Sequence, residues 1–261
     1  MKSLATTSLL LLPILLLSSL PGTFALAASA QSQPAKSKLR LQYFDIRGVA
    51  ETCRILLALG GEEYDDARYK IDPATFNSPE FLEAKKNGDL KMNLNRAPIL
   101  VTDTGRTIGQ SKAIERFLAR RFGLMGQTSE DEAIIDCIAE HCRDVKEAAR
   151  LKGFSKFTKN KTDEDKARDR KEWFEVDMPK LLGSMEDAIS ETSTSPGFSF
   201  GSAPTYGDVV IWALLRDCFA DDMEDTAKAA EHCKALNAIA DQIASNPRVS
   251  KWLNERPETI A

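Results

Sequence analysis

The stretch LRLQYFDIRGVAETCRILLALGG, residues 39–61, decides the fold of the first half of the chain. Leu39 to Phe44 alternate apolar and polar, the period of a half-buried strand. Gly48 then opens a helical run to Leu59 in which Cys53, Leu56, Leu57 and Gly60 fall at helical spacing, and Gly60-Gly61 stops it. Working outward, Glu63 to Tyr69 reads as a second strand, followed by a polar connector containing Pro, Asn and Gly. Pro98 to Thr102 (PILVT) has the composition of a buried strand. Asp103-Thr104-Gly105 is a hairpin turn, Arg106 to Ile108 its return, and Gln110 to about Phe122 a helix. The order β-α-β, connector, β-β-α makes a compact α/β unit.

Beyond Gly123–Thr128 the pattern is helical. Ser129-x-x-Glu132 has the form of a capping box ahead of a stripe formed by Ile134, Ile138, Cys142, Val145 and Ala149. Lys159 to Lys171 reads as a solvated loop and helix start, and Pro196 to Pro204 as a turn-rich loop. Thr205-x-x-Asp208 caps Val209 to Leu215, apolar almost all round and so the most buried helix of this part. Pro247 and Pro257 bracket a short last helix. The expected organisation is an α/β domain over 38–123 and an all-α domain over 124–261.

The first 30 residues stand apart. Lys2 is followed by no charge until Lys36, with a leucine-rich run from Leu9 to Leu20 and then Ala28-Ser29-Ala30. That is the order of a cleavable secretory signal over 1–30, leaving 31–37 as a linker. The alternatives are a signal-anchor, which would be the chain's only membrane attachment, and a bipartite plastid signal. Asn160-Lys161-Thr162 is a glycosylation acceptor should the chain enter the lumen.

The 261 residues carry 35 Lys and Arg against 39 Asp and Glu, a formal charge of −4, which gives no electrostatic basis for non-specific nucleic-acid binding. With only His141 and His232, a histidine-rich metal centre is excluded as a reading. Five scattered cysteines without a CxxC pair argue against a disulfide framework. Cys137, His141 and Cys142 share one helical span but lack a fourth ligand, so no metal site is assigned.

Taken in order, Tyr43-Phe-Asp-Ile-Arg-Gly-Val-Ala-Glu51, Ala97-Pro-Ile-Leu100, Gly109-Gln-Ser-Lys-Ala-Ile114, Thr205-Tyr-Gly-Asp208 and Asn246-Pro-Arg-Val-Ser-Lys-Trp-Leu253 resemble the cytosolic-type glutathione S-transferases, nearest the sigma-like branch. The resemblance implies a thioredoxin-like N-terminal domain, a helical C-terminal domain, a homodimer and no bound cofactor. Reduced glutathione is then the co-substrate, conjugated to a small hydrophobic electrophile in detoxification.

Residue by residue, the resemblance makes Tyr43 the hydroxyl that donates to the glutathione sulfur. On its own, the residue reads equally as a half-buried strand tyrosine. Pro98 would be cis, turning the backbone of Ala97 toward the cysteinyl part of the tripeptide; alternatively it is a trans proline that starts a strand. Gln110 and Ser111, at a helix start, would hold the γ-glutamyl end, with simple N-capping by Ser111 as the plainer reading. Asp144 would reach across a dimer interface to the ligand's α-amino group, whereas Asp136 and Glu140 read as surface charges. Lys85 would meet the glycine carboxylate, with Lys86 and Lys91 interchangeable with it. Between Asp72 and Asn95 the tryptophan of sigma members is missing, and Phe81 stands in for it. Arg47 and Arg54 read as fold-holding ion pairs and Asp208 as a helix cap.

Phe44, Ile46 and Val49 are expected to line the electrophile pocket. Val49 occupies the place where prostaglandin-isomerising sigma members carry a second arginine, which weighs against that chemistry. Competing readings are a non-catalytic carrier of hydrophobic ligands, a glutathione-dependent isomerase or peroxidase, and a structural module.

Overall fold

The computed structural model describes residues 38–155 and 158–259. The signal-peptide and linker readings of 1–30 and 31–37 fall outside the described residues. Strand β1 (Leu39–Phe44) buries Leu39, Leu41 and Tyr43 and sends Arg40, Gln42 and Phe44 to the opposite face, the alternation its sequence predicts. It pairs in parallel with β2 (Tyr64–Tyr69) through the crossover helix α1 (Glu51–Gly60), which a three-residue 3-10 turn at Gly48–Ala50 introduces. On its other edge β1 meets β3 (Ile99–Val101) antiparallel, and β3 meets β4 (Thr107–Gly109). The sheet order is β2-β1-β3-β4.

Helices α1 and α3 (Ser111–Arg121) cover the Leu41 face with Cys53, Leu56, Leu57, Ile114 and Leu118. The opposite face carries a smaller cluster of Ala84, Leu90 and Ile99 with Tyr69 and Phe81, brought there by α2 (Pro79–Asn87). Helix α2 lies in what the sequence reads as a polar connector. It buries only Ala84, so its apolar period is nearly absent. Its bounds come from caps instead: the Ser78 hydroxyl accepts from the Phe81 N–H, and Gly88 closes the helix at φ +84°.

The second half is helical: α4 (Ser129–Lys152), α5 (Asp163–Glu172), α6 (Met178–Ser190), α7 (Tyr206–Arg216), α8 (Met223–Ala229), α9 (Lys234–Ser245) and α10 (Pro247–Glu255). The cap of α4 is Thr128, not Ser129. The Thr128 hydroxyl accepts from the Asp131 N–H at 3.1 Å, and the Asp131 carboxylate accepts from the Thr128 N–H at 3.0 Å. The pattern fits equally one residue earlier, and the shorter acid closes that box. The buried stripe of α4 runs Ile135, Ile138, Cys142, Val145 and Ala149, and Ile134 is exposed. Two successive four-residue steps, from 134 to 138 to 142, turn a stripe by about 80°, whereas alternating threes and fours keep it on one face.

Every residue of α7 from Tyr206 to Leu215 is buried, as its all-round apolarity requires. It packs against α1, α4 and α9, so one hydrophobic core runs unbroken from the sheet into the helical half. Asp208 caps it, accepting from the N–H groups of Ser199 at 2.6 Å and Thr205 at 2.7 Å. Tyr206 donates to Glu115 of α3 at 2.8 Å. The chain end returns to α1, where Trp252 Nε1 and Arg256 Nη1 both donate to Glu51, at 2.9 and 2.8 Å. Arg54, fully buried, pairs with Glu51 and Asp66 at 3.2 Å each and donates to the Ile46 carbonyl at 2.9 Å. Among the described residues no helix is long and apolar enough to cross a membrane.

Candidate functional site

Where the C-terminal end of β1 faces α4 and the end of α7, a cavity of about 690 Å³ opens. Tyr43 and Val49 line it from the sheet side, Lys146 and Phe154 from the α4 side, and Ala213 and Phe219 from α7 and the residues after it. Alternation on β1 puts Tyr43 on the core face of the sheet, and the strand's end brings its phenol to the cavity edge. Gly48, at φ +43°, lets the chain pass directly beneath the ring: a Cβ there would lie 2.8 Å from the hydroxyl. The backbone of Val49 lies against the phenolic oxygen. Among the described residues no acceptor takes the phenolic proton, which leaves it for the cavity. Burial holds the Tyr43 pKa above the usual tyrosine value, and the Val49 N–H and the Arg54 charge offset only part of this. The group at neutral pH is therefore a phenol, a donor.

A second group forms around the loop before β3 and the start of α3. The Ala97–Pro98 peptide is cis. Asn93, buried, donates from Nδ2 to the Pro98 carbonyl at 2.9 Å and accepts the Gln110 N–H on Oδ1 at 3.1 Å. One side chain thus ties the proline loop to the helix start, and Gly109 packs directly on it. Gln110 sits at φ +66°, ψ +117°, a conformation costing a non-glycine residue about 1–3 kcal/mol that surrounding structure must hold. Ser111 is the first helical residue and makes no capping bond, so the N-capping alternative for it does not describe this helix. The N–H groups of Ser111, Lys112 and Ala113 lie outside the helical ladder, an arrangement suited to a carboxylate.

The remaining candidates are dispersed. Phe44 and Ile46 do not line the cavity: Phe44 follows Tyr43 on the strand and so points to the other face, where its ring meets Phe81 at 4.7 Å and Tyr69 at 6.1 Å. Ile46 turns its carbonyl to Arg54. Of the three expected lining residues, only Val49 is there. Lys85 lies on α2 with its ammonium 5.6 Å from the Phe81 ring centre, and Lys91 folds back over Gly88. Asp144 is exposed on α4 and makes no ion pair among the described residues. Asp136 and Glu140 are more than a solvated row, because both pair with Arg116 of α3, Asp136 at 2.7 Å, and tie the two halves together. Cys137 Sγ and His141 Nε2 stand 3.4 Å apart, and among the described residues no group of three or more His, Cys, Asp or Glu could hold a metal.

Asn93 and Lys146 escape sequence reasoning. A lone asparagine in a polar connector has no periodicity to betray burial, and a lysine beside an apolar helical stripe reads as solvated. Arg47, read as a fold-holding cation, does pair with Asp217 at 3.1 Å, yet it also lines the cavity. Burial raises the Asp217 pKa, a shift that the charges of Arg47 and Arg256 only partly offset.

Residues 39–120 match the family described as glutathione S-transferase, N-terminal domain, and residues 150–256 its C-terminal domain. Glutathione S-transferase 3 of Caenorhabditis elegans is 31% identical over 224 residues, covering 84% of this chain and 97% of the relative. The hematopoietic prostaglandin D synthase of Gallus gallus is 30% identical over 235 residues, with the same two coverages, 84% and 97%. Among solved structures, the monomeric glutathione S-transferase Na-GST-3 of Necator americanus superposes with a TM-score of 0.66 at 28% identity, covering 86% of this chain and all of that one.

Proposed function

The chain belongs to the cytosolic-type glutathione S-transferases, and from that premise we propose that Tyr43 activates the co-substrate glutathione by donating its phenolic proton to the sulfur. The carrying observation is the hydroxyl itself: it stands at the cavity wall over Gly48, and among the described residues no acceptor takes its proton. A free thiol ionises near pH 8.5, so lowering that by about 2 units takes about 2.7 kcal/mol of preference for the anion. One hydrogen bond to a charged atom contributes about 1.5–3 kcal/mol, the required size.

Ala97 offers its backbone to the cysteinyl part of glutathione, and Gln110 and Ser111 receive the γ-glutamyl carboxylate at the open start of α3. Asn93 is a positioning residue that holds these two segments at one spacing. Lys85, Lys86 or Lys91 serves the glycine carboxylate. The thiol proton passes to solvent, the sulfur pair forms a bond to the electrophilic carbon, and the displaced pair leaves with the leaving group or moves onto a conjugated carbonyl. Val49, Phe154 and Phe219 give the electrophile an apolar wall. Val49 in place of an arginine favours conjugation, and so detoxification, over prostaglandin isomerisation.

We further propose a homodimer in which Asp144 reaches the ligand bound by the partner subunit. Met92 and Leu94, 65% and 75% exposed on the loop before β3, supply an apolar contact for it. For residues 1–30 we propose a secretory signal; a glycan on exposed Asn160 would mark that route.

The test is Tyr43→Phe. Retention on immobilised glutathione is expected to persist, while conjugation of chlorodinitrobenzene falls at least about tenfold, a loss of about 1.4 kcal/mol. Turnover at the wild-type rate would remove Tyr43 from the mechanism.

A further inference from the structure

The cavity beside Tyr43 is lined by more cations than an apolar electrophile needs, and among the described residues all but one of them pair with a carboxylate. Arg47 pairs with Asp217 at 3.1 Å, Lys112 with Glu115 at 2.9 Å, Arg150 with Glu147 at 2.6 Å and Arg170 with Asp222 at 2.6 Å. Lys146 forms no hydrogen bond or ion pair among the described residues, although it is half-buried. Asp217, a carboxylate on the same wall, already accepts from both Arg47 and Arg256. Of the other two acids on this wall, Asp222 pairs with Arg170 and Asp221 has a partner of its own.

Lys146, Ala149 and Arg150 fall three and four residues apart on α4, so they share the helix face turned to the cavity. Facing Lys146 from α7 and just after it are Ala213, Asp217 and Cys218, and its charge is felt at Cys142, Cys218 and Asp217. A lysine on a cavity wall that no carboxylate bonds directly is open to a ligand that brings an acceptor of its own, and a charge-assisted bond is the stronger kind. Val49, Phe154 and Phe219 give the same cavity an apolar part. A cavity with a proton donor for sulfur, an apolar body and one unmatched cation fits an amphipathic molecule.

We propose that Lys146 makes this a site for electrophiles that carry a carboxylate, the acid bound at Lys146 while the reactive carbon faces the sulfur held by Tyr43. This rests on the transferase reading of the same cavity. For an α,β-unsaturated ketone the step balances without another reactant. The thiol proton goes to water, the sulfur pair bonds to the terminal alkene carbon, the π pair moves to the carbonyl as an enolate, and water returns a proton to the α-carbon. The carboxylate remains unchanged and only orients the molecule.

The test compares kcat/KM for ethacrynic acid, an enone bearing a carboxylate, with that for its methyl ester, alongside chlorodinitrobenzene as an uncharged reference. Wild-type protein is expected to prefer the acid by at least about fivefold. Lys146→Met should bring the acid-to-ester ratio close to one, and Lys146→Arg should retain it. Equal use of acid and ester by the wild type overturns the proposal without any variant, and so does an acid preference that survives in Lys146→Met. Turnover of chlorodinitrobenzene by the wild type keeps the transferase reading standing whichever way the ratio falls, whereas wild-type protein inert toward all three electrophiles would overturn both.

Discussion

Tyr43 owes its position to its neighbours more than to its own chemistry. The strand period turns it toward the core, the end of β1 brings its oxygen to the cavity, and Gly48 makes room for it. An alanine at 48 would meet the hydroxyl at 2.8 Å and would also hold φ at +43°, where a residue with a Cβ is disfavoured by about 1–2 kcal/mol. Gly48→Ala is therefore expected to displace the phenol and lower kcat at least about fivefold, with a smaller change in KM for glutathione, as steady-state kinetics would read. Unchanged kcat would mean that the phenol need not occupy its present place. At this scale the sequence discloses what sits inside a motif. Tyr43, Pro98, Gln110 and Ser111 are legible because their neighbours are. Asn93 and Lys146 are not, because the place of each is set by a partner or a cavity supplied by distant chain, and Phe44 misleads because adjacency along a strand means opposition in space.

Among the elements, α1 is held by α3, α7 and α10. Glu51 at its first turn accepts from Trp252 and Arg256 of the chain end and pairs with Arg54, and its side chain is 1% exposed. Burial alone would raise its pKa, but the bonds from Arg256 and Trp252 and the charge of Arg54 outweigh that and hold it below the usual carboxylate value. A carboxyl depressed in the folded state stabilises above its unfolded pKa, about 4.3, and the contribution disappears as pH falls through the folded value. Glu51→Gln is thus expected to cost about 3 kcal/mol at pH 7, since it removes the carboxylate that Arg54 and Arg256 share and leaves each with one remaining acid, Asp66 and Asp217. The difference in Tm from wild type should shrink once the pH drops below about 4.3. A pH-independent gap would place the loss in packing rather than charge. Most elements are visible in the sequence through their period and their stops: β1, α1, the β3–β4 hairpin and α7 follow directly. Helix α2 is hidden because only Ala84 of its nine residues is buried, so capping, not amphipathicity, defines it.

For the molecule as a whole, the two halves share one core, with α7 packed on α1 and Arg116 and Glu115 of α3 bonded to α4 and α7. That continuity fixes the cavity between Tyr43 and Lys146, a property no local window of sequence contains. Met92 and Leu94 are exposed, and the proposed dimer can be tested there. Leu94→Glu should convert a dimer to a monomer in sedimentation velocity and weaken glutathione binding in step with Asp144→Ala. Wild-type protein that sediments as a monomer, as the Necator americanus neighbour is described, would remove Asp144 from the site.

The most direct measurement is the ionisation of glutathione while bound, followed by the ultraviolet absorbance of its thiolate as pH is raised. With Tyr43 in place the bound thiol is predicted to ionise about 2 units below its free value near 8.5, and in Tyr43→Phe to return close to it. A bound thiol that titrates identically with and without the phenolic hydroxyl would contradict the account.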